Sequence, residues 1–181
     1  LLDNGKRGPL NETGAWNVSM CVSEPTFHDE IIRQWRERRE ANPDRWYNLN
    51  ICENDCGGRC VCEDCQAWDQ PLRAEDEGQP VEERSLSNRY ARFWKAVYDL
   101  AAPIDPDVMV TAYAYANYRK PPTAEIELNE NILVGFVPYV NFPLTDDTGQ
   151  SGGLPADVPF VLAGDLNAFP GSKEAVFDGV T

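Results

Sequence analysis

Apolar residues recur along the chain at two different spacings, and the switches between them predict alternating helices and strands. The clearest helix signal is Tyr90, Phe93, Trp94, Val97 and Ala101, at i, i+3, i+4, i+7 and i+11, opened by Ser87 as cap and closed by Pro103. An earlier helix opens at Pro25-Thr26, with Thr26 as N-cap, Asp29 three residues on, and Phe27, Ile31, Ile32 and Trp35 along one side. Arg33, Arg36, Arg38 and Arg39 load its second half, where cations suit the helix dipole, and Asn42-Pro43-Asp44 ends it. His28 lies in its first turn and is expected to face solvent. Short apolar runs at Trp16–Val22, Trp46–Ile51, Val108–Tyr115, Ile132–Val140 and Phe160–Ala163 predict strands. The Val108 run is apolar enough to be covered on both faces. The acidic stretch Arg73–Arg84 reads as solvated, residues 145–157 as a Gly/Asp/Ser linker, and Ser172 as the cap of a last helix.

Helices alternating with strands argue for an α/β fold with a mostly parallel sheet. In such sheets reacting groups gather at the carboxyl ends of the strands. The expected organisation is one main unit over residues 1–145, a linker over 146–157, and residues 158–181 as a last strand with the start of a helix or the beginning of a second domain. The chain opens on Leu1 without an initiator Met and reads as a mature product or an excised fragment.

Composition narrows the function classes. At 181 residues, 42% hydrophobic and 25% charged, the chain is of ordinary domain size and composition. It contains no apolar run of about 18 residues, so no helix is expected to span a membrane. A formal net charge of −14 repels phosphate backbones and disfavours nucleic acid as a partner. A neutral glycan meets no such penalty, although the acidity would equally serve solubility.

Four constellations could carry chemistry. Glu53, Asn54 and Asp55 follow the second predicted strand, and Glu53 and Asp55 are two apart, which places them on one face of an extended segment. Glycoside hydrolysis needs two carboxyl groups flanking a bond, although Asp55-Cys56-Gly57-Gly58 would also make an ordinary Asp-initiated turn. Five of the six cysteines lie between Cys52 and Cys65. Cys60, Cys62 and Cys65 can converge on one soft cation such as zinc, with Cys56 or Cys52 as the fourth corner. Disulfides and free thiols remain the alternatives. Tyr113, Tyr115, Asn117 and Tyr118 end the third predicted strand and Tyr139, Asn141 and Phe142 follow the fourth, residue types that suit sugar rings but also serve as core or rim aromatics. Finally, Asp165 and Asn167 sit directly after a strand, where they could hold a water or a phosphate oxygen. With a single histidine, a Ser-His-Asp triad or a two-histidine site has no support.

Several stretches carry a resemblance. Met20-Cys21-Val22-Ser23-Glu24-Pro25, Asn54-Asp55 with Cys60-x-Cys62-x-x-Cys65, the Tyr90–Leu100 helix, Thr111-Ala112-Tyr113-Ala114-Tyr115 and Pro121-Pro122 together resemble a bacterial family grouped with α-glucuronidase-like and hexosaminidase-like glycoside hydrolases. The resemblance covers Trp16 to Pro143. It implies a partial (β/α)-barrel and action on a carbohydrate by carboxylate chemistry, with Asp55 and Glu53 as catalytic candidates chosen by position. Asn54, Tyr113, Tyr115, Asn117, Tyr139 and Asn141 would then line the sugar site, and Cys56, Cys60, Cys62 and Cys65 would hold a structural zinc. Val158–Pro170 instead resembles the endonuclease/exonuclease/phosphatase family, which implies a Mg²⁺-dependent phosphoesterase using Asp165 and Asn167. A non-catalytic glycan-binding fragment is the third expectation.

Overall fold

The computed structural model describes residues 19–45, 47–52 and 59–137. Glu53, Asn54, Asp55, Cys56, Tyr139, Asn141, Asp165 and Asn167 lie outside the described residues, as do the expected linker, the strand at 160–163 and the helix after Ser172.

The architecture is a mixed helix and strand arrangement around a small parallel sheet. Helix α1 spans Pro25–Ala41, strand β1 Leu49–Asn50, helix α2 Glu63–Trp68, helix α3 Ser87–Ala101, strand β2 Val110–Ala114 and strand β3 Ile132–Phe136. The sheet order is β1-β2-β3, and both pairings are parallel. Leu49 pairs with Val110, and Val110 in turn with Ile132. The crossover from β1 to β2 carries α2 and α3, whereas β2 reaches β3 through one short 3₁₀ turn, Ala116–Tyr118, and loop.

The core forms where α3 packs on the sheet and α1 packs on α3. The apolar line read from the sequence supplies it: Tyr90, Phe93, Trp94, Val97 and Ala101 are all buried. They meet Val110 and Ala112 of β2, Leu49 of β1, and Ile32 and Trp35 of α1 in one cluster. The Trp35 indole also donates to the Tyr47 carbonyl at 3.0 Å, so the ring is packed without an orphaned N–H.

Local chemistry shifts several expected features. Glu24, not Thr26, caps α1; its carboxylate accepts from the Thr26 amide and hydroxyl at 3.4 and 3.1 Å, and Pro25 takes the first helical position, where no amide partner is needed. Met20 to Val22 form no strand; the backbone turns there, with the Glu24 amide on the Cys21 carbonyl at 3.1 Å. His28 is buried, not solvent-facing, because its Nε2 reaches the Val22 carbonyl at 2.7 Å and its ring lies among Phe27, Trp68 and Phe93. Ser87 is the first residue of α3 and buried, with Leu86 at the cap position. In the largely exposed Arg73–Arg84 stretch, Asp76 is buried because its carboxylate accepts the Ser85 amide at 3.1 Å.

Strand β2 is covered on one face only among the described residues. Val110 and Ala112 are buried, but Thr111 and Tyr113 point the other way, beside their β3 partners Leu133 and Gly135. Leu133 is 56% and Tyr113 38% exposed. Apolar content alone could not distinguish one covered face from two.

Removing a buried ring from α3 should cost most. Phe93→Ala is expected to lower the unfolding free energy by about 3–5 kcal/mol, through lost burial and a residual cavity. Leu133→Ala on the open face should stay within about 0.5 kcal/mol. Urea midpoints of the two variants, compared at equal m-value, read both.

Candidate metal centre and strand-end rim

Cys21 stands in the turn that leads into α1, while Cys60 and Cys62 precede α2 and Cys65 lies within it. Their four sulfurs lie within 4.8 Å of one another. Cys21 Sγ is 3.6 Å from Cys62 Sγ and 3.8 Å from Cys65 Sγ. A disulfide needs about 2.05 Å; none of the four cysteines is in one. Four thiolates bound at about 2.3 Å to a tetrahedral zinc would stand about 3.8 Å apart, so the cluster has the dimensions of a site for a single ion. The three cysteines read from their spacing are thus brought together. Cys52 is elsewhere, with its thiol 3.8 Å from the Thr111 carbonyl, and Cys21 occupies the fourth corner.

Local structure sets this geometry. Cys62 is the N-cap of α2, and its sulfur accepts the Cys65 amide at 3.5 Å. Glu63 and Asp64 follow in the first helical turn, where negative charge suits the dipole. Ser23, buried beside the cluster, places its hydroxyl 3.0 Å from Cys65 Sγ. Behind the cysteines, Arg89 is only 2% exposed. It grips both Asp69 oxygens, at 2.8 and 2.7 Å, and donates to the Cys60 carbonyl at 2.8 Å. Arg59 completes this buried group, with one guanidinium nitrogen on the Arg84 carbonyl at 2.7 Å and another 3.6 Å from Asp69. Desolvation, then the like charge of Arg89, lower its pKa to about 10.

The second cluster is a rim. Because the strands are parallel, β1, β2 and β3 all leave the sheet at one edge. Tyr113 and Tyr115 sit two apart in extended backbone at the end of β2, so they share a face, and each is 38% exposed. Asn117 is exposed beside them, and its carbonyl accepts the Leu86 amide at 3.0 Å. Ala116 between them has φ 46°, in the left-handed region that a residue with a side chain rarely occupies. Tyr118 differs: it is buried and stacked on Tyr90 at 4.0 Å between ring centroids. Gly135 lies opposite Tyr113, and a Cβ there would come within 2.8 Å of the tyrosine ring.

A family profile matches residues 1–152. The chain belongs to the family described as a domain of unknown function, DUF4838. No curated protein and no solved structure matches it. The DUF4838 match takes in every described residue, including all four cysteines and the rim, and it stops before Asp165 and Asn167.

The thiols of this DUF4838 chain do not titrate alike. Burial, and the neighbouring Cys65, push Cys21 well above the ordinary thiol value. Burial also raises Cys65, although the Ser23 hydroxyl and the Arg89 charge pull the other way. At Cys60 burial raises as well, but hydrogen bonds from the Cys62 amide and from the Cys62 and Cys21 side chains outweigh it, bringing it down to about 7. A metal must displace the protons held by the raised thiols, so binding should release protons and strengthen as pH rises.

Zinc titration of the chelated chain, in buffers of different ionisation enthalpy, should report that release at pH 7. Affinity is expected to fall from pH 8 to pH 6. Cys21→Ser should weaken binding by about tenfold or more, since one of four thiolate corners is lost. A pH-independent affinity would contradict the thiol protonation described above.

Proposed function

We propose that this chain is part of a glycoside hydrolase-like enzyme that acts on a carbohydrate by carboxylate acid/base chemistry. One observation carries the reading: the parallel pairing brings the carboxyl end of β1 to the same end of the sheet as Tyr113, Tyr115 and Asn117, and Glu53, Asn54 and Asp55 follow β1 in the sequence after Ile51 and Cys52. That edge is where parallel α/β sheets keep their reacting groups. Strands that neighbour one another in chain order favour a partial (β/α)-barrel over a doubly wound sheet, whose order reverses at a switch point. The exposed tyrosines offer flat faces for a sugar ring, and Asn117 offers an amide.

In this reading Asp55 and Glu53 supply the acid and the base or nucleophile, and Asn54, Tyr139 and Asn141 join the sugar contacts. The cysteine centre would hold a structural zinc. Its four corners are filled by protein, whereas catalytic zinc keeps a position open for water or substrate. Hydrolysis would then run on carboxylates without a metal at the reacting bond.

The test is turnover of a panel of aryl glycosides by the full-length protein that contains this chain, alongside binding of unlabelled oligosaccharides. Asp55→Asn should lower kcat by about 10²–10⁴-fold, the usual worth of a positioned acid or base. Tyr113→Ala should raise KM more than it lowers kcat. Full turnover by Asp55→Asn removes that residue from the mechanism. Oligosaccharide binding without product would leave a glycan-binding module, and a Mg²⁺-dependent aryl phosphatase activity lost in Asp165→Asn would replace the glycosidase reading altogether.

A further inference from the structure

The start of α3 joins the cysteine cluster to the rim by a set of hydrogen bonds that are buried around Arg89 and part-buried to exposed toward the rim. Arg89 holds the Cys segment at two points: the Cys60 carbonyl, and the carboxylate of Asp69, the C-cap of α2. The adjacent Asn88 is 5% exposed and uses both ends of its amide. Its nitrogen donates to the Asp69 and Pro71 carbonyls at 3.1 and 2.7 Å and to the Thr123 hydroxyl at 2.8 Å. Its oxygen accepts the Thr123 and Ala124 amides at 2.7 and 3.0 Å. One turn back, Leu86 and Ser85 donate to the Asn117 carbonyl at 3.0 and 3.2 Å. The loop that leaves β2 is therefore fastened at 117 and at 123–124 to the same helical turn that fastens the metal-ligating segment.

We propose that Asn88 and Arg89 are positioning residues that couple metal occupancy to the conformation of the Tyr115–Ala124 loop. The proposal rests on the cysteine centre binding zinc. Without the ion, four thiols must share a small volume through weak S–H contacts, and Cys21 and the Cys60–Cys65 segment lose their common anchor. Arg89 is fixed to that segment by three bonds, so it moves with it or breaks them. Asn88 is the next residue on a rigid helix and passes the displacement to Thr123 and Ala124. The loop bearing Tyr115 and Asn117 then loses two of its fastenings. The function served is geometric: the ion would keep the rim aromatic and amide in place for a sugar, at a distance from the reacting bond.

Amide hydrogen exchange on the full chain, zinc-loaded and chelated, tests this directly. In the wild type, chelation should speed exchange across residues 115–124 by about tenfold, the size of an ordinary coupling between sites, as well as across 20–24 and 59–69. Asn88→Ala should separate the two effects. Its 115–124 amides are expected to exchange fast already with zinc bound, and chelation should add nothing there, while zinc stoichiometry stays at one. Asn88→Asp retains the acceptor for the Thr123 and Ala124 amides and should restore part of the protection. If chelation in the wild type accelerates only 20–24 and 59–69, the coupling is wrong even though zinc binds. If the wild-type chain takes up no zinc, the metal reading fails and the coupling with it.

Discussion

The buried pair of Arg89 and Asp69 is the constraint on which the rest of the described structure leans. A guanidinium taken out of water is costly unless nearly all its donors are satisfied. Arg89 sets each of its three nitrogens on an acceptor, with a two-pronged grip on the carboxylate and a third bond to a backbone carbonyl. Its fork geometry lets one side chain fix two separate points of the segment between β1 and α3. Losing either partner would leave a buried charge without its counterpart, a defect worth about 3–5 kcal/mol. That segment has little apolar surface of its own; α2 is six residues long, with Cys65 as its buried residue. A polar clamp does there what a hydrophobic face does for α1 and α3.

The helices and the parallel sheet were legible because their apolar residues repeat at the spacing of the element that buries them. The period through Tyr90, Phe93, Trp94 and Val97 reported α3 and its buried side together. Helix α2 carried no such period; its trace in the sequence was a capping residue, Cys62, followed by two acids in the first turn. His28 escaped for a related reason. A histidine in a first helical turn ordinarily meets water, but here the turn at Val22 folds a carbonyl back over the helix start and aromatic rings close around it.

The cysteine cluster was half legible. Spacing brought out Cys60, Cys62 and Cys65, since thiols two and three apart reach a common point whatever surrounds them. The fourth could not be found from spacing, because Cys21 is 41 positions from Cys62 and only the tertiary fold sets them side by side. Ser23 and Arg89 were invisible for the same reason. The rim was readable as a set of residue types at a strand end. Alternation in extended backbone puts Tyr113 and Tyr115 on the open face, whereas the 3₁₀ turn Ala116–Tyr118 carries Tyr118 inward onto Tyr90.

Gly135 carries a consequence beyond its own strand. Its missing Cβ is the space into which the Tyr113 ring lies down across β3. The tilt of that aromatic plate is therefore recorded in the neighbouring strand and not in the tyrosine. A variant with a side chain at 135 would keep the phenol but push its ring off this position. The exposed surface of this strand end is thus set in part by a residue that contributes no side chain to it.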